Sequence, residues 1–221
     1  MDATPARPVG ADTLRLIAAL SNHGSEDKGL QARTDWQPAL DELPSFEALL
    51  QLYHKRIYNL AYRLLGDRDE AADLTQETFV RAYKAYPAFR GAPKAVYPWL
   101  CRIAVNGCKN RFKELGRRGE HEAFSLDEPL AAGDPGPGLE VADTSANPVG
   151  VVEQRELEAK IQEAIQALPP DFRMVIVLRD MQGLAYKEIA DITGLTMETV
   201  KARLFRGRGI LRRRLSPYLE G

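Results

Sequence analysis

Three groups of side chains in this sequence have the types and spacing to do chemistry. Glu70, Asp73 and Glu77 fall at i, i+3 and i+7 of a run that reads as helix, so three carboxylates share one stripe. Such a stripe can hold metal ions in a helical bundle, dock a basic partner helix, or face water. The metal reading needs Glu-x-x-His partners, and His23, His54 and His121 stand apart from each other and from the stripe. Docking would set the carboxylates in a polar rim over desolvated neighbours, Leu74 and Phe79. Spacing alone does not separate docking from a solvated face.

The second group runs from Tyr86 to Lys113 and interleaves aromatic with basic residues. Proteins that bind single-stranded DNA use this mixture, with rings or pockets taking unstacked bases while cations follow the backbone. Arg90, Lys94, Arg102, Asn106, Lys109 and Lys113 are the candidates for direct contact. Phe89, Tyr97 and Trp99 read either as base platforms or as core anchors, and core anchoring is favoured for Trp99.

The third group is a spacing. Ala190, Gly194 and Val200 supply what two steeply crossing helices need: a small residue at the closest contact, a glycine at the turn, and a β-branched residue facing back. Thr196 is placed to cap the second helix, and Glu198 in its first turn suits the helix dipole. With Val200, Leu204 and Leu211 inward, Glu198, Lys201, Ala202, Phe205, Arg206 and Arg208 are expected outside. Residues 196–215 carry seven basic side chains against Glu198 alone. A basic recognition helix of this kind fits the major groove, which favours DNA over a merely solvated helical hairpin.

The elements that must position these groups read as helices throughout. Phe46, Leu49, Leu50, Tyr53, Ile57, Leu60, Ala61 and Leu64 repeat at helical period, with Ser45 as N-cap and Gly66 as stop. A second helix is expected over Asp69–Tyr86, with Leu74, Phe79, Ala82, Tyr83 and Tyr86 inward. A third is expected from Trp99 to about Gly116, with Leu100, Ala104, Cys108, Phe112 and Leu115 inward and Arg102, Asn106, Lys109, Lys113 and Arg117 aligned on another face. Val152–Leu168 and Phe172–Met181 follow around Pro169-Pro170. Alternating strand patterns are essentially absent, so the fold class is all-α, as two small helical domains.

Domain boundaries come from charge. Residues 119–150 hold seven acids, no Lys or Arg, and Pro129, Pro135, Pro137 and Pro148, which reads as a flexible acidic linker. The expected organisation is a polar extension over 1–44 with one short helix at Asp12–Leu20, a helical domain over 45–118, the linker, and a helix-turn-helix domain over 151–221. The whole chain of 221 residues has a formal net charge of −1, a balance that taken alone argues against nucleic acid. That figure averages +5 in residues 99–118, −7 in 119–150 and +6 in 196–215. The separation suggests weak DNA affinity in the free chain, with the acidic tether shielding the basic helices. Two cysteines cannot staple a secreted scaffold, and neither a leader nor a membrane span is visible, so a cytoplasmic protein is expected. Cys101 and Cys108, seven apart on one side of a helix, are read as buried structural thiols over oxidant sensors.

Several motifs in order carry a family resemblance. Asp69-Glu70-Ala71-Ala72-Asp73-Leu74-Thr75-Gln76-Glu77-Thr78-Phe79, Phe89-Arg90-Gly91, Trp99-Leu100-Cys101-Arg102-Ile103-Ala104-Val105-Asn106, Leu168-Pro169, Glu188-Ile189-Ala190 and Thr199-Val200-Lys201-Ala202-Arg203-Leu204 together resemble bacterial sigma factors of the extracytoplasmic-function group. The resemblance covers roughly 45–216. It implies a non-enzymatic subunit, without cofactor or metal, that binds core RNA polymerase, directs it to promoters and helps melt the minus-ten region. By the same resemblance Glu70, Asp73, Leu74, Gln76, Glu77 and Phe79 would dock on the β′ clamp helices. Arg90, Lys94, Trp99, Arg102, Asn106, Lys109 and Lys113 would take the minus-ten DNA as a melted strand. Thr196, Glu198, Thr199, Lys201, Arg203, Arg206 and Arg208 would read duplex minus-thirty-five DNA, with this domain on the β flap and the linker threading toward the RNA-exit path. An anti-sigma protein covering both DNA-binding domains is expected, and no membrane insertion. Melting costs a few kcal/mol per unstacked base, which selective binding of the opened strand offsets.

The chain departs from the family pattern in two places. Glu198 stands where the family usually has Gly, and Gly207 and Gly209 interrupt the recognition helix at a cost of about 1 kcal/mol each, so an early end to that helix is expected. A stand-alone helix-turn-helix regulator would explain residues 185–214 but leave the acidic stripe and aromatic loop without purpose. A carboxylate metalloenzyme lacks its histidines.

Overall fold

The computed structural model describes Leu16 and residues 42–119 and 148–219. The expected helix at Asp12–Leu20, apart from Leu16, and nearly all of the acidic linker lie outside the described residues. Leu16 itself is helical and fully buried.

Seven α-helices and no strand occur among the described residues, so the chain is all-α. α1 (Phe46–Leu65) starts where the Ser45 hydroxyl accepts from the Ala48 N–H at 3.2 Å, and ends at Gly66, whose φ of +83° is left-handed. α2 (Arg68–Ala85) begins one residue earlier than expected, because Asp67 caps it through the Glu70 N–H at 2.8 Å. Leu74, Phe79 and Ala82 are buried as expected, but Tyr83 is 63% exposed and Tyr86 only half-buried. Pro87 ends the helix into a short 3₁₀ turn, Tyr86–Ala88, which takes Tyr86 out of the helical period.

α3 (Val96–Gly119) begins before Trp99, since Pro98 in the first turn lacks only an N–H that would have no intrahelical partner. α1, α2 and α3 pack on one another. Gly107 of α3 is what lets α2 approach, because an added Cβ would lie 2.3 Å from the Leu74 methyl.

In the C-terminal half, α4 (Pro148–Gln166) leads through Pro169 into α5 (Pro170–Ile176), which widens into a π-helical turn, Val177–Met181. α6 (Tyr186–Thr193) and α7 (Met197–Leu219) complete the helix-turn-helix, with α7 against α4, α5 and α6. The expected early end of the recognition helix is corrected. Gly207 is buried where an added Cβ would meet Ile176 at 3.0 Å, so its absence of side chain serves the α5–α7 crossing, and packing carries the helix to Leu219. The two halves meet directly, α1 against α4 and α5, and α3 against α6.

Gly209 has nothing within 4 Å of an added Cβ and lies inside α7. Gly209→Ala is therefore expected to stabilise the fold by about 1 kcal/mol, read as a higher urea midpoint at unchanged slope.

Candidate nucleic-acid interface

The acidic stripe of α2 has two layers. Leu74 is 1% and Phe79 6% exposed, so both lie in the core beneath the carboxylates, with Phe79 stacked on His54 at 5.8 Å. Glu70 and Glu77 are exposed but engaged. The Arg111 guanidinium of α3 donates to Glu70 at 2.7 Å and to Glu77 at 3.2 Å, and Arg81 reaches Glu77 at 3.5 Å. Burial works against the Arg111 charge, but its hydrogen bond to Glu70 and the field of Glu77 outweigh it and raise its pKa. Asp73 and Gln76 are exposed between them. Among the described residues no group of three or more His, Cys, Asp or Glu could hold a metal ion.

The aromatic loop folds onto itself. Trp99 is half-buried, 5.0 Å from the Phe89 ring and 6.0 Å from Tyr86, so it is an anchor with one accessible side. The Phe89 ring covers Gly91, where an added Cβ would sit 2.4 Å from its Cζ, which accounts for the Phe-Arg-Gly run. Tyr97 is fully buried and its hydroxyl donates to Gln182 at 2.6 Å, so it offers no stacking face. Arg90 is exposed and donates to the Pro87 and Phe89 carbonyls at 2.8 and 3.0 Å, which holds the loop. Lys94, Arg102, Asn106 and Lys113 are exposed. Lys109 differs, for its ammonium donates to the Thr193 carbonyl at 2.8 Å, across to the turn of the helix-turn-helix. Burial lowers its pKa, with Asp171 opposing and Lys113 adding to the shift.

At the helix-turn-helix, Gly194 takes the left-handed conformation with φ +77° and returns its N–H to the Ala190 carbonyl at 2.8 Å, as the spacing requires. The Thr196 hydroxyl accepts from the Thr199 N–H at 3.2 Å, and Val200, Leu204 and Leu211 are buried. Glu198, Lys201, Ala202 and Arg206 face outward, with Thr196 exposed and Thr199 half-buried beside them. Arg208 is corrected. The π turn brings Asp180 beneath α7, and Arg208 turns inward to grip this fully buried carboxylate at 2.9 and 2.5 Å. Arg203 is likewise engaged, with Asp171 at 2.8 Å. Phe205 lies on the outer side by periodicity, though the family resemblance does not count it among the DNA contacts. It is 81% exposed on the stripe of Lys201 and Ala202, and only the presence of an aromatic on a basic face signals it in the sequence.

Cys101 and Cys108 are buried, and burial pushes both thiols up to about 12.

A helical domain with an acidic helix face and an aromatic, basic loop, followed by a helix-turn-helix with a basic recognition helix, defines a two-part DNA-binding transcription protein. Comparison with known proteins specifies it. The Sigma-70 region 2 family model matches residues 49–118 and the Sigma-70 region 4 model matches 158–211. The RNA polymerase sigma-H factor of Pseudomonas aeruginosa is 35% identical over 177 residues, covering 80% of this chain and 89% of that protein. The ECF RNA polymerase sigma-E factor of Haemophilus influenzae is 35% identical over 175 residues, covering 79% and 89%. The chain belongs to the extracytoplasmic-function sigma factors, a family of transcription initiation factors. Its fold is shared with the sigma factor RpoE in complex with the anti-sigma factor NepR from Bartonella quintana, with a TM-score of 0.56 at 23% identity over 77% of this chain and 96% of that one. CnrH in complex with the cytosolic domain of CnrY gives 0.52 at 20% over 94% and 98%.

Removing Arg208 would take this cation from the buried Asp180 carboxylate. Arg208→Ala is expected to cost about 3 kcal/mol in urea unfolding, and most of this should return when Asp180 is replaced by Leu in the same chain.

Proposed function

We propose that this protein binds core RNA polymerase through the exposed acidic rim of α2, carries it to promoters, and helps open the minus-ten region. The supporting observation is that one chain carries an acidic helix face and two separate basic faces of different character. Asp73 and Gln76, with Glu70 and Glu77 held by Arg111, form the polymerase-facing rim on the β′ clamp helices. Leu74 and Phe79 support it from below.

Arg90, Lys94, Arg102, Asn106 and Lys113 form the minus-ten face beside the accessible side of Trp99. Their cations would follow the phosphates of a melted strand while the aromatic cluster stacks on an unpaired base. Lys109 joins this face only when released from Thr193. The minus-thirty-five face is the outward stripe of α7, with Thr196, Glu198, Thr199, Lys201 and Arg206 at the groove. Phe205 belongs to this face as well, where its ring suits the methyl group of thymine. Arg203 and Arg208 act mainly by fixing α7. The C-terminal domain would rest on the β flap.

In this reading the protein works in the cytoplasm beside the polymerase, performs no catalysis of its own and needs no cofactor. Among the described residues no helix is long and apolar enough to cross a membrane. An anti-sigma protein is the expected antagonist, in keeping with the RpoE–NepR complex of the same fold.

Run-off transcription with core polymerase tests the proposal. Promoter-specific transcripts dependent on this chain are expected, and tight specific duplex binding without any polymerase dependence would instead support a stand-alone regulator. Asp73→Arg is expected to weaken core polymerase binding at least tenfold while isolated duplex binding stays unchanged. Phe205→Ala should do the opposite, and equal losses in both assays for either variant would count against these assignments.

A further inference from the structure

α7 carries two glycines, and packing explains only one of them. Gly207 is buried against Ile176, where a side chain would obstruct the α5–α7 crossing. Gly209 has nothing within 4 Å of an added Cβ, so no contact inside the chain requires its lack of a side chain. A glycine in a helix interior weakens the helix relative to alanine, and at 209 no packing offsets that loss.

The neighbours of a residue on a helix surface are those three and four positions away, which for Gly209 are Phe205, Arg206, Arg212 and Arg213. Phe205 is 81% exposed, Arg206 and Arg213 are exposed, and Arg212 is half-buried. None of these side chains leans over the glycine, since every one stays beyond 4 Å of the Cβ position. An open notch results, bounded by one aromatic ring and by guanidinium groups. Residues 199–219 contain no Asp or Glu, so no carboxylate of this stretch offsets the charge.

The notch continues the minus-thirty-five face, for Lys201, Phe205 and Gly209 follow at i, i+4 and i+8 along one stripe. It stands about 6 Å further along the helix axis than Phe205. A helix that sets Lys201 and Phe205 in a major groove meets the phosphate backbone bordering that groove within its next turn. A side chain at that point would hold the helix off. Guanidinium groups suit such a neighbour, because their planar fork of donors meets phosphate oxygens two at a time.

We infer that Gly209, with Arg206 and Arg213 beside it, is the seat for a phosphodiester of the duplex bordering the minus-thirty-five groove. Gly209 lets the sugar-phosphate chain rest against the helix, and Arg213 supplies a cation that the helix-turn-helix spacing does not mark. The seat adds affinity without sequence preference, since phosphate contacts position and base contacts specify. It rests on the reading of α7 as the duplex-facing helix.

Duplex binding by the full chain, measured over a range of salt, tests the seat. One duplex carries a promoter sequence found by run-off transcription, and a second of equal length is scrambled. Gly209→Leu is expected to weaken binding to both at least tenfold, with helix content unchanged by circular dichroism. Gly209→Ala should also bind more weakly, although its fold is the more stable one. Arg213→Ala should lower the slope of log affinity against log salt by about 1 on both duplexes alike, and Arg213→Lys should restore it. Phe205→Ala should instead narrow the difference between the two duplexes at unchanged slope. Unchanged affinity in either glycine variant, or an unchanged slope in Arg213→Ala, would overturn the seat. Weaker core polymerase binding by these variants, with both duplexes bound as before, would overturn it too and assign the notch to a protein surface. If Phe205→Ala behaves as expected in that event, the seat fails alone; if it also leaves both duplexes bound as before, the reading of α7 fails with it.

Discussion

An α-helix leaves its last four carbonyls without intrahelical partners, and α1 resolves this with side chains drawn from far along the chain. Gly66 meets part of the need locally through its N–H to Tyr62. The remainder falls to Gln162, Gln166 and Arg173, about a hundred residues later. Burial lowers Arg173 to about 10, still well above neutrality, so it keeps its charge where the halves meet. The end of one helix thereby sets the position of α4 and α5, and through the α5–α7 crossing at Gly207 it sets the recognition helix as well.

Charge in this molecule divides between groups that hold structure and groups left for partners. Arg111, Arg203 and Arg208 each grip a carboxylate of another helix. Lys201, Arg206, Arg102 and Lys113 stay exposed. Arginine serves the first purpose well because its planar fork matches a carboxylate, as the two bonds of Arg208 to Asp180 illustrate. The basic bias of residues 196–215 therefore overstates the charge that α7 can present to a phosphate backbone.

What the sequence made legible was local. The caps at Ser45 and Gly66, the left-handed turn at Gly194 and the inward set Val200, Leu204 and Leu211 follow from spacing, because each depends on residues within a turn or two. The exceptions are tertiary. Arg208 lies on the outward side by periodicity, yet a π turn at Val177–Met181 puts a buried carboxylate within its reach, and no periodic signal announces that turn. Lys109 lies on the basic face as expected, but its partner is a backbone carbonyl in the other half. Gly207 looks like a helix breaker until the neighbouring Ile176 is seen. Tyr83 shows the same limit from the other side, for its period points it inward yet it is 63% exposed.

The two buried thiols set a limit on what this protein can notice. Burial pushes both thiols up to about 12, so near neutral pH they stay protonated, and thiolate is the form that peroxides and disulfides attack. Cys101 and Cys108 add to packing in α3 and are chemically silent while the fold holds. Chemistry at these two sulfurs therefore waits on the fold opening, which makes them reporters of unfolding and not of oxidant.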